Sequence, residues 1–376
     1  MRTVRLMIAA MCVTLLCGAT LVRAAEQSES QSVRFAATLL TLYRQSDAIY
    51  LARFDKREDG RVLMTDPSYT VVEVETEFTV LSTLKGEDRK LLNLTDEDFR
   101  YRLAAQPDSG YAPEVRFAIN ASSIDRPKTP EPGDTVLVFV RQAGSPGNCE
   151  IVDSRDGMKK LSTDERSIYV DRIKELNTIF SAKQPQPSAI AAWLVKCAEE
   201  PATRWDAAFE LERGFRQLDR QGRRKEADKA AAFSNEVAGD LLPIAQAITD
   251  DQKSILTNIL LNSGQGNSTN GNLSAADRQL IKLVRRWAPR EMVVHLLDRL
   301  KTGPSATGDD AYIMHTIAAV TDDPEVAQYA QRYSQLPVSA VPIAAGDRDP
   351  RQVVLEQFVA RVERSLNSVN SPKEPR

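Results

Sequence analysis

The two histidines are the first residues to consider for catalysis or metal binding in this chain of 376 residues. His295 and His315 are separated by 20 positions, and both have apolar neighbours. A zinc site on one helix needs two histidines about four residues apart, or acidic ligands beside them. Neither condition is met. We therefore expect each histidine to lie in the core or at an interface, without a metal.

Carboxylates are far more numerous, with 52 Asp and Glu residues, and one set is regularly spaced. Glu73, Glu75 and Glu77 alternate with other residues, so neighbouring carboxylates lie about 7 Å apart on one face of a strand. That separation suits the carboxylate pair of a glycan hydrolase. The competing interpretation, which we favour, is the polar face of a sheet.

Three consecutive acids, Asp96-Glu97-Asp98, could offer oxygen ligands to a cation. A calcium loop spaces its ligands at alternate positions, and this segment lacks that pattern. We therefore expect a solvated turn here.

Other motifs and the overall charge narrow the classes of function. No glycine-rich phosphate loop, nucleophile elbow or Ser-x-x-Lys motif occurs where a predicted strand would present it. The 49 Lys and Arg residues give a net charge of -3, without the basic excess of a nucleic-acid binder. We therefore expect no enzyme activity, no cofactor, no metal and no nucleic-acid partner.

Residues 1–24 have the pattern of a secretory signal peptide. Arg2 and Arg5 precede an apolar core, Leu6 to Cys17, and Val22-Arg23-Ala24 resembles a signal-peptidase site. An uncleaved anchor is the alternative, and Leu16 disfavours lipidation at Cys17. Cleavage would remove three of the 49 basic residues, leaving 46 against 52 acidic residues and a net charge of -6. We expect an exported protein, periplasmic or secreted, with no transmembrane segment after cleavage.

Two of the four cysteines, Cys149 and Cys197, would remain in the mature chain. In an oxidising compartment they are candidates for one disulfide. An unstrained bond would stabilise the fold by roughly 4 kcal/mol in the chain-entropy model. The alternative is two separate buried thiols, because spacing alone does not show that the sulfurs meet.

The first half of the mature chain has the alternation of an antiparallel β-domain. A short helix within residues 33–43 precedes a buried strand at 48–54, and the strand at 69–84 has one apolar and one polar face. Asp59-Gly60 and Asp156-Gly157 are hairpin signals, because these residue types tolerate positive φ. Further strands are predicted at 90–94, 135–140, 149–152 and 158–161.

These short strands, joined by turns, predict a small barrel or sandwich. The acidic, proline-rich stretch from Thr95 to Pro132 is too long for an ordinary connection. We interpret it as an excursion from the barrel and as a candidate binding loop.

Three segments of this half carry a family resemblance: Ser46-Asp47-Ala48-Ile49-Tyr50, Leu81 to Gly86, and Pro132 to Val140. Together they resemble bacterial exported proteins with an OB-like domain, similar to the inhibitory domain of tissue inhibitors of metalloproteinases (the netrin-like fold). The resemblance covers about residues 46–160. It implies an OB-type barrel beside a helix, and no catalytic residues. The animal inhibitors begin with a zinc-chelating cysteine, whereas the mature chain here begins near Ala25 without one, so no inhibitory residues are carried over.

From Ser162 onward the pattern is helical. Ser162 and Glu165 form a capping box that begins a helix ending near residue 181, and the linker 182–187 marks a domain boundary. Ser274 and Asp277 form a second, weaker capping box. Further helices are predicted at 188–199, 204–218, 225–249 with a break at Pro243, 252–261, 274–287, 289–300, 310–320, 324–335 and 350–369.

These helices form hairpins of roughly 30 to 45 residues, which predicts a stacked array resembling HEAT-like repeats. A plain helical bundle is the alternative. The expected fold is therefore α+β, with an OB-like antiparallel barrel and flanking helices at 25–182. An all-α domain follows at 188–370, and residues 371–376 form a disordered tail.

The leading functional hypothesis is an exported, non-catalytic module that binds a protein or envelope component. It rests on two interaction-type architectures in a chain with few catalytic residue types. A carboxylate-dependent glycan hydrolase is the alternative. A protease inhibitor acting through a barrel-edge loop is the third.

Overall fold

The computed structural model describes residues 37–66, 69–101, 130–142, 149–153, 156–224, 241–263, 273–301, 309–337 and 348–368. The predicted signal peptide, most of the Thr95–Pro132 loop and the C-terminal tail lie outside these residues. The chain divides into two compact units. Described residues through Leu161 form a β unit, and those from Ser162 onward form a helical unit, so the protein is an α+β protein.

One helix and six antiparallel strands make up the described β unit. The strands follow the order β3-β2-β1-β4-β5, and β6 also pairs with β4. Their bounds are α1 (Leu39–Gln45), β1 (Ala48–Thr65), β2 (Tyr69–Lys85), β3 (Leu91–Tyr101), β4 (Thr135–Gln142), β5 (Cys149–Ile151) and β6 (Met158–Lys160).

The hairpin predicted at Asp59-Gly60 is wrong, because β1 continues through these residues to Thr65. Between Asp59 and Val62 the pairing with β2 shifts register, so Gly60 and Arg61 together lie opposite Glu73. This is a β-bulge, which inserts an extra residue without ending the strand. A Cβ at Gly60 would lie 3.2 Å from the carbonyl oxygen of Glu73, so glycine suits this close approach.

The second predicted hairpin, at Asp156-Gly157, is also wrong. Strands β5 and β6 both pair with β4, through Val140↔Ile151 and Val138↔Met158. They are two parts of one interrupted edge strand. The interruption needs a glycine, because a Cβ at Gly157 would lie 2.4 Å from the Ile151 side chain.

The β unit has a dense apolar core on one face of a curled sheet. Phe54 and Phe78 meet edge to face at its centre, with ring centroids 5.7 Å apart. Residues of the outer strands β3 and β5 approach within 8 Å between Cα atoms. Among the described strands no ladder joins these two edges. The buried core residues are Ala48, Tyr50, Ala52, Phe54, Phe78, Leu92, Leu94, Val136, Val138 and Val140.

Ten helices make up the described part of the helical unit, and most begin where a local signal predicts. Both predicted capping boxes are confirmed, and a third, unpredicted one joins Thr249 to Gln252. The bounds are α2 (Thr163–Phe180), α3 (Pro187–Glu199), α4 (Arg204–Arg224), α5 (Leu241–Gln246), α6 (Asp250–Asn262), α7 (Ala275–Val284), α8 (Pro289–Lys301), α9 (Asp309–Thr321), α10 (Pro324–Gln335) and α11 (Pro350–Ser368).

Helix α2 belongs to the helical unit, although its sequence suggested a place at the end of the β domain. The side chain of Trp193 on α3 donates to the carbonyl oxygen of Arg172 at 3.0 Å. The hydroxyl of Tyr169 on α2 donates to the carbonyl oxygen of Ala202 at 2.6 Å. These bonds and the buried apolar face of α2 attach it to α3 and to the turn that follows α3, so the units divide before the 182–187 linker.

Helix packing in this unit joins neighbours along the chain and also longer-range partners. Helix α3 contacts α4 and α6, and α4 contacts α7. Helices α8 to α11 contact one another in sequence, and α11 also reaches α8. None of the described helices combines the length and the apolar character needed to cross a membrane.

Candidate functional site

The predicted glutamate row forms one face of β2. Glu73, Glu75 and Glu77 are exposed or half-buried, whereas Val74 and Phe78 on the opposite face are at most 1% exposed. The alternation arises because successive side chains of a strand point to opposite faces of the sheet. The predicted polar face is confirmed, and the carboxylates lie on the side away from the apolar core.

Register brings residues from β1 and β3 beside these glutamates. Glu75 pairs with Glu58 on β1 and with Thr95 on β3. Glu77 pairs with Lys56 on β1 and with Asn93 on β3. The six residues line a depression of about 230 Å³, which we call the glutamate face.

Lysine 56 neutralises part of the glutamate face. Its Nζ lies 3.3 Å from Glu58 Oε2 and 3.6 Å from Glu77 Oε2. The hydrogen bond and the charge of Glu58, together with the charge of Glu77, raise the pKa of Lys56 above its usual value. Because all three side chains are exposed, water and salt screen these pairs, and they contribute little to stability.

A second polar cluster lies where β1 leaves its pairing with β4. The carboxylate of Asp55 accepts hydrogen bonds from Arg53 Nε at 2.7 Å and from the hydroxyl of Thr79 at 2.6 Å. The hydrogen bonds from Thr79 and Arg53 stabilise the ionised carboxylate of Asp55, so they lower its pKa. This cluster holds a fixed negative charge with its cation beside it.

The glutamate face is suited to binding a polar partner. A glycosidase pair needs one carboxyl group held protonated by an apolar surrounding, beside a second that stays ionised. The described lining contains three carboxylates, one lysine, three small polar residues and the apolar Leu94, and none of its residues is aromatic. The open position and the mixed charges favour recognition of a polar, charged surface.

The acidic segment Asp96-Glu97-Asp98 is strand and not the expected turn. Its backbone pairs with Val74, Glu73 and Val72 of β2. Strand β3 therefore continues seven residues past the predicted end at residue 94, to Tyr101. The remainder of the predicted binding loop, residues 102–129, lies outside the described residues.

At the outer end of β1 three consecutive apolar residues are exposed. Val62 is 59% exposed, Leu63 39% and Met64 53%. Every residue from Lys56 to Thr65 is exposed. We call Val62, Leu63 and Met64 the hairpin end. Sequence reasoning missed it, because the strand was predicted to turn before these residues.

The two histidines lie on separate helices, as predicted. His315 on α9 is exposed, and its Nε2 lies 2.9 Å from the Ser334 hydroxyl oxygen on α10. His295 on α8 is half-buried, and burial with the nearby Arg299 lowers its pKa. In the described part of the chain, no three His, Cys, Asp or Glu side chains are placed to share a metal ion.

Cys149 and Cys197 are free thiols in the structure, and the disulfide between them stays a prediction. Cys149 is on β5 in the β unit, and Cys197 is on α3 in the helical unit. Cys197 is 1% exposed, and burial strongly raises the pKa of its thiol. A group this buried is unreactive unless the helices around it open.

Comparison of the chain with protein-family models, curated proteins and solved structures gives no match.

Proposed function

We propose that this chain is an exported, non-catalytic binding protein that contacts a protein or envelope component through the hairpin end. In this proposal the curled sheet is an OB-like barrel of the netrin-like kind, and the helical unit is a HEAT-like array. The family resemblance in residues 46–160 supports the first assignment. The helix contacts along the chain support the second.

The observation that carries the proposal is the exposure of Val62, Leu63 and Met64 at one strand end. Burying a valine or leucine side chain completely is worth about 1.5–3 kcal/mol, so leaving several together in water is unfavourable. Contiguous exposed apolar residues on a folded protein mark interaction sites. The hairpin end thus has the apolar character of an interface centre.

Charged residues that precede the hairpin end along β1, with their partners on β2, supply a polar margin of the kind that such interfaces have. Arg61 Nη2 lies 3.4 Å from Glu73 Oε2, and Lys56 sits between Glu58 and Glu77. Exposed pairs of this kind set specificity and association rate more than affinity. The partner surface should therefore combine a small apolar depression with charges of both signs.

The test is affinity capture and cross-linking from the exported fraction, using the complete exported chain and a Val62→Ser/Leu63→Ser variant. Leu81→Ser/Leu91→Ser is the matched control, because these leucines are also exposed on the β unit, at 48% and 59%. We expect a specific partner to be lost with the first variant and retained with the second. Retention by both variants would contradict the proposal.

An enzyme assay tests the glycan-hydrolase alternative independently. The complete chain is incubated with peptidase, glycosidase and esterase substrates, beside a Glu75→Gln variant. We expect no turnover above background. Turnover that disappears in Glu75→Gln would overturn the non-catalytic assignment and identify the glutamate face as an active site.

A further inference from the structure

The outer part of β1, from Lys56 to Thr65, has a described strand on one side only. Strand β4 pairs with β1 from Ala48 to Arg53. On the same side, backbone hydrogen bonds join Phe54 to Gly133 and Asp134. Beyond Phe54 the described pairing of β1 is with β2 alone. Because every residue from Lys56 to Thr65 is exposed, the other side of β1 is accessible to an added strand.

The hairpin end has apolar side chains on both faces of the sheet. Val62 pairs with Val72 and Met64 pairs with Val71, because the register shifts between them. Val71 and Val72 are consecutive and point to opposite faces, and residues paired across two strands point to the same face. Val62 and Met64 are therefore on opposite faces, and both are more than half exposed. A partner lying on one face would cover one of them, whereas a strand added in the plane of the sheet borders both.

The accessible stretch of β1 is symmetrical about Gly60. It follows Phe54 and runs from Asp55 to the strand end at Thr65, with five residues on each side of Gly60. The same stretch of a second copy can pair with it antiparallel, about a two-fold axis at Gly60. Each residue then faces the residue that lies equally far on the other side of Gly60. A two-fold pairing uses the same edge of both copies, so it closes at a dimer.

The charges match in this register. Asp59 of each copy faces Arg61 of the other, so the pair occurs twice. Opposite charges directly across two antiparallel strands are stabilising. The Arg61 side chain is 76% exposed, and its ion pair with Glu73 at 3.4 Å leaves further N–H donors of the guanidinium for a second carboxylate.

The apolar residues of the hairpin end also find suitable neighbours. In the same register Leu63 faces Arg57 of the second copy, and Met64 faces Lys56. The long aliphatic stems of arginine and lysine can cover apolar side chains while their charged groups stay in water. Pairing with a second copy thus reduces the exposed apolar surface on both faces of the sheet.

We propose that the hairpin end binds a second copy of this chain by antiparallel strand addition, along the outer edge of β1 from Asp55 to Thr65. The axis passes at Gly60, and the two Asp59–Arg61 pairs fix the register. The inference rests on the proposed function, because it takes the hairpin end as an interface, and it names the partner. Strand addition through main-chain hydrogen bonds, with side chains setting specificity, is an established mode of recognition.

The test is sedimentation velocity of the purified, complete exported chain, with a reductant so that no cysteine links two copies. We expect dimers at about 100 μM and monomers at about 1 μM, because a one-strand interface is at the small end of specific interfaces. Asp59→Arg alone and Arg61→Asp alone place like charges across the axis twice, so each should weaken dimerisation about tenfold or more. Lys90→Asp, an exposed charge reversal elsewhere on the β unit, is the matched control and should leave dimerisation unchanged.

An equimolar mixture of the two charge variants tests the register itself. One chain then carries two arginines beside the axis and the other carries two aspartates, so opposite charges face each other again. We expect the mixture to dimerise about as well as the natural chain, although neither variant does so alone. Circular dichroism verifies that each variant is folded. The second copy is refuted if the natural chain is monomeric at about 100 μM, if the single variants dimerise like it, or if the mixture fails to associate.

Failure of this inference and failure of the proposed function give different results. A natural chain that stays monomeric, yet captures another protein that Val62→Ser/Leu63→Ser loses, refutes the second copy and leaves the hairpin end as an interface. A chain that dimerises through Asp59 and Arg61, while Val62→Ser/Leu63→Ser still captures the same partner from the exported fraction, contradicts the proposed function alone.

Discussion

Lys85 on β2 holds the end of helix α1 through Tyr43. Its Nζ donates to the carbonyl oxygen of Tyr43 at 2.8 Å and lies 4.3 Å from the centroid of the Tyr43 ring. It also donates to the carbonyl oxygen of Ser46 at 2.5 Å. The last carbonyls of a helix lack intrahelical partners, so the lysine satisfies acceptors that the fold leaves open. The Leu84-Lys85-Gly86 turn thus has a structural role.

Replacing this lysine should destabilise the β unit. Lys85→Met keeps much of the aliphatic stem but removes two hydrogen bonds, and we expect a loss of about 2 kcal/mol in the free energy of unfolding. Urea denaturation measures the change. Lys90→Met is the control, because Lys90 is exposed and should change stability little. Equal effects of the two substitutions would show that the α1 contact is unimportant.

The glutamate face contains a like-charge pair that costs stability. Glu58 and Glu75 lie directly opposite each other on β1 and β2. Like charges at such positions are destabilising. We expect Glu75→Gln to raise the free energy of unfolding by roughly 0.2–1 kcal/mol at low salt, and by less at high salt. Glu150→Gln is the comparison. It removes an attractive pair with Arg141, so it should leave stability unchanged or slightly lower.

His295 should make the helical unit less stable in mild acid. Burial, assisted by Arg299, lowers the pKa of folded His295 below its usual 6.5, while Asp277 and Asp298 act in the opposite direction. The unfolded chain therefore takes up this proton first, and stability falls as the pH drops below about 6.5. Above that pH His295 is neutral in the folded and in the unfolded chain, so its full contribution to the free energy of unfolding is present.

The measurement is thermal unfolding between about pH 7.5 and pH 5.5. His295→Gln should lose less stability over this interval than the natural chain. Glu291→Gln, near the start of the same helix, is the control. An identical pH profile for the natural chain and His295→Gln would contradict the assignment. Partial desolvation also lowers the pKa of His315, although its side chain is largely exposed, so part of the slope should remain.

The cysteines should label as two unequal thiols. Cys149 is half-buried, whereas Cys197 is 1% exposed and its thiol pKa is raised by burial. With a maleimide under native, non-reducing conditions we expect modification at Cys149 first and at Cys197 only after denaturation. Mass spectrometry locates the label. Absence of label at both residues until a reductant is added would instead demonstrate the disulfide that the sequence suggests.

Local signals in the sequence were sufficient for the starts of several helices. Ser162 with Glu165, and Ser274 with Asp277, are capping boxes whose partners lie three residues apart. Pro289, Pro324 and Pro350 each stand at the first helical position, where a missing N–H costs nothing. These features involve one turn of chain, so composition and spacing determine them. The alternating faces of β2 were predictable for the same reason.

Pairing between distant segments required the tertiary structure. Asp59-Gly60 and Asp156-Gly157 are strong turn signals, yet one is part of a bulged strand and the other precedes an edge strand paired with β4. Neighbouring strands supply enough hydrogen bonds to override the local preference. Helix α2 is part of the helical unit for a similar reason. Its buried apolar face packs against α3, and this contact between separate segments decides its place.

The sequence by itself determined the division into a β part and a helical part and the polar face of β2. It also determined that the two histidines, 20 positions apart, lack the spacing of a metal site on one helix. Only the tertiary structure placed Lys56 and Glu58 beside the glutamates of β2 and exposed the hairpin end. Periodicity is a property of a few consecutive residues, whereas register and helix packing depend on contacts between distant ones. Binding surfaces are built from the second kind of contact.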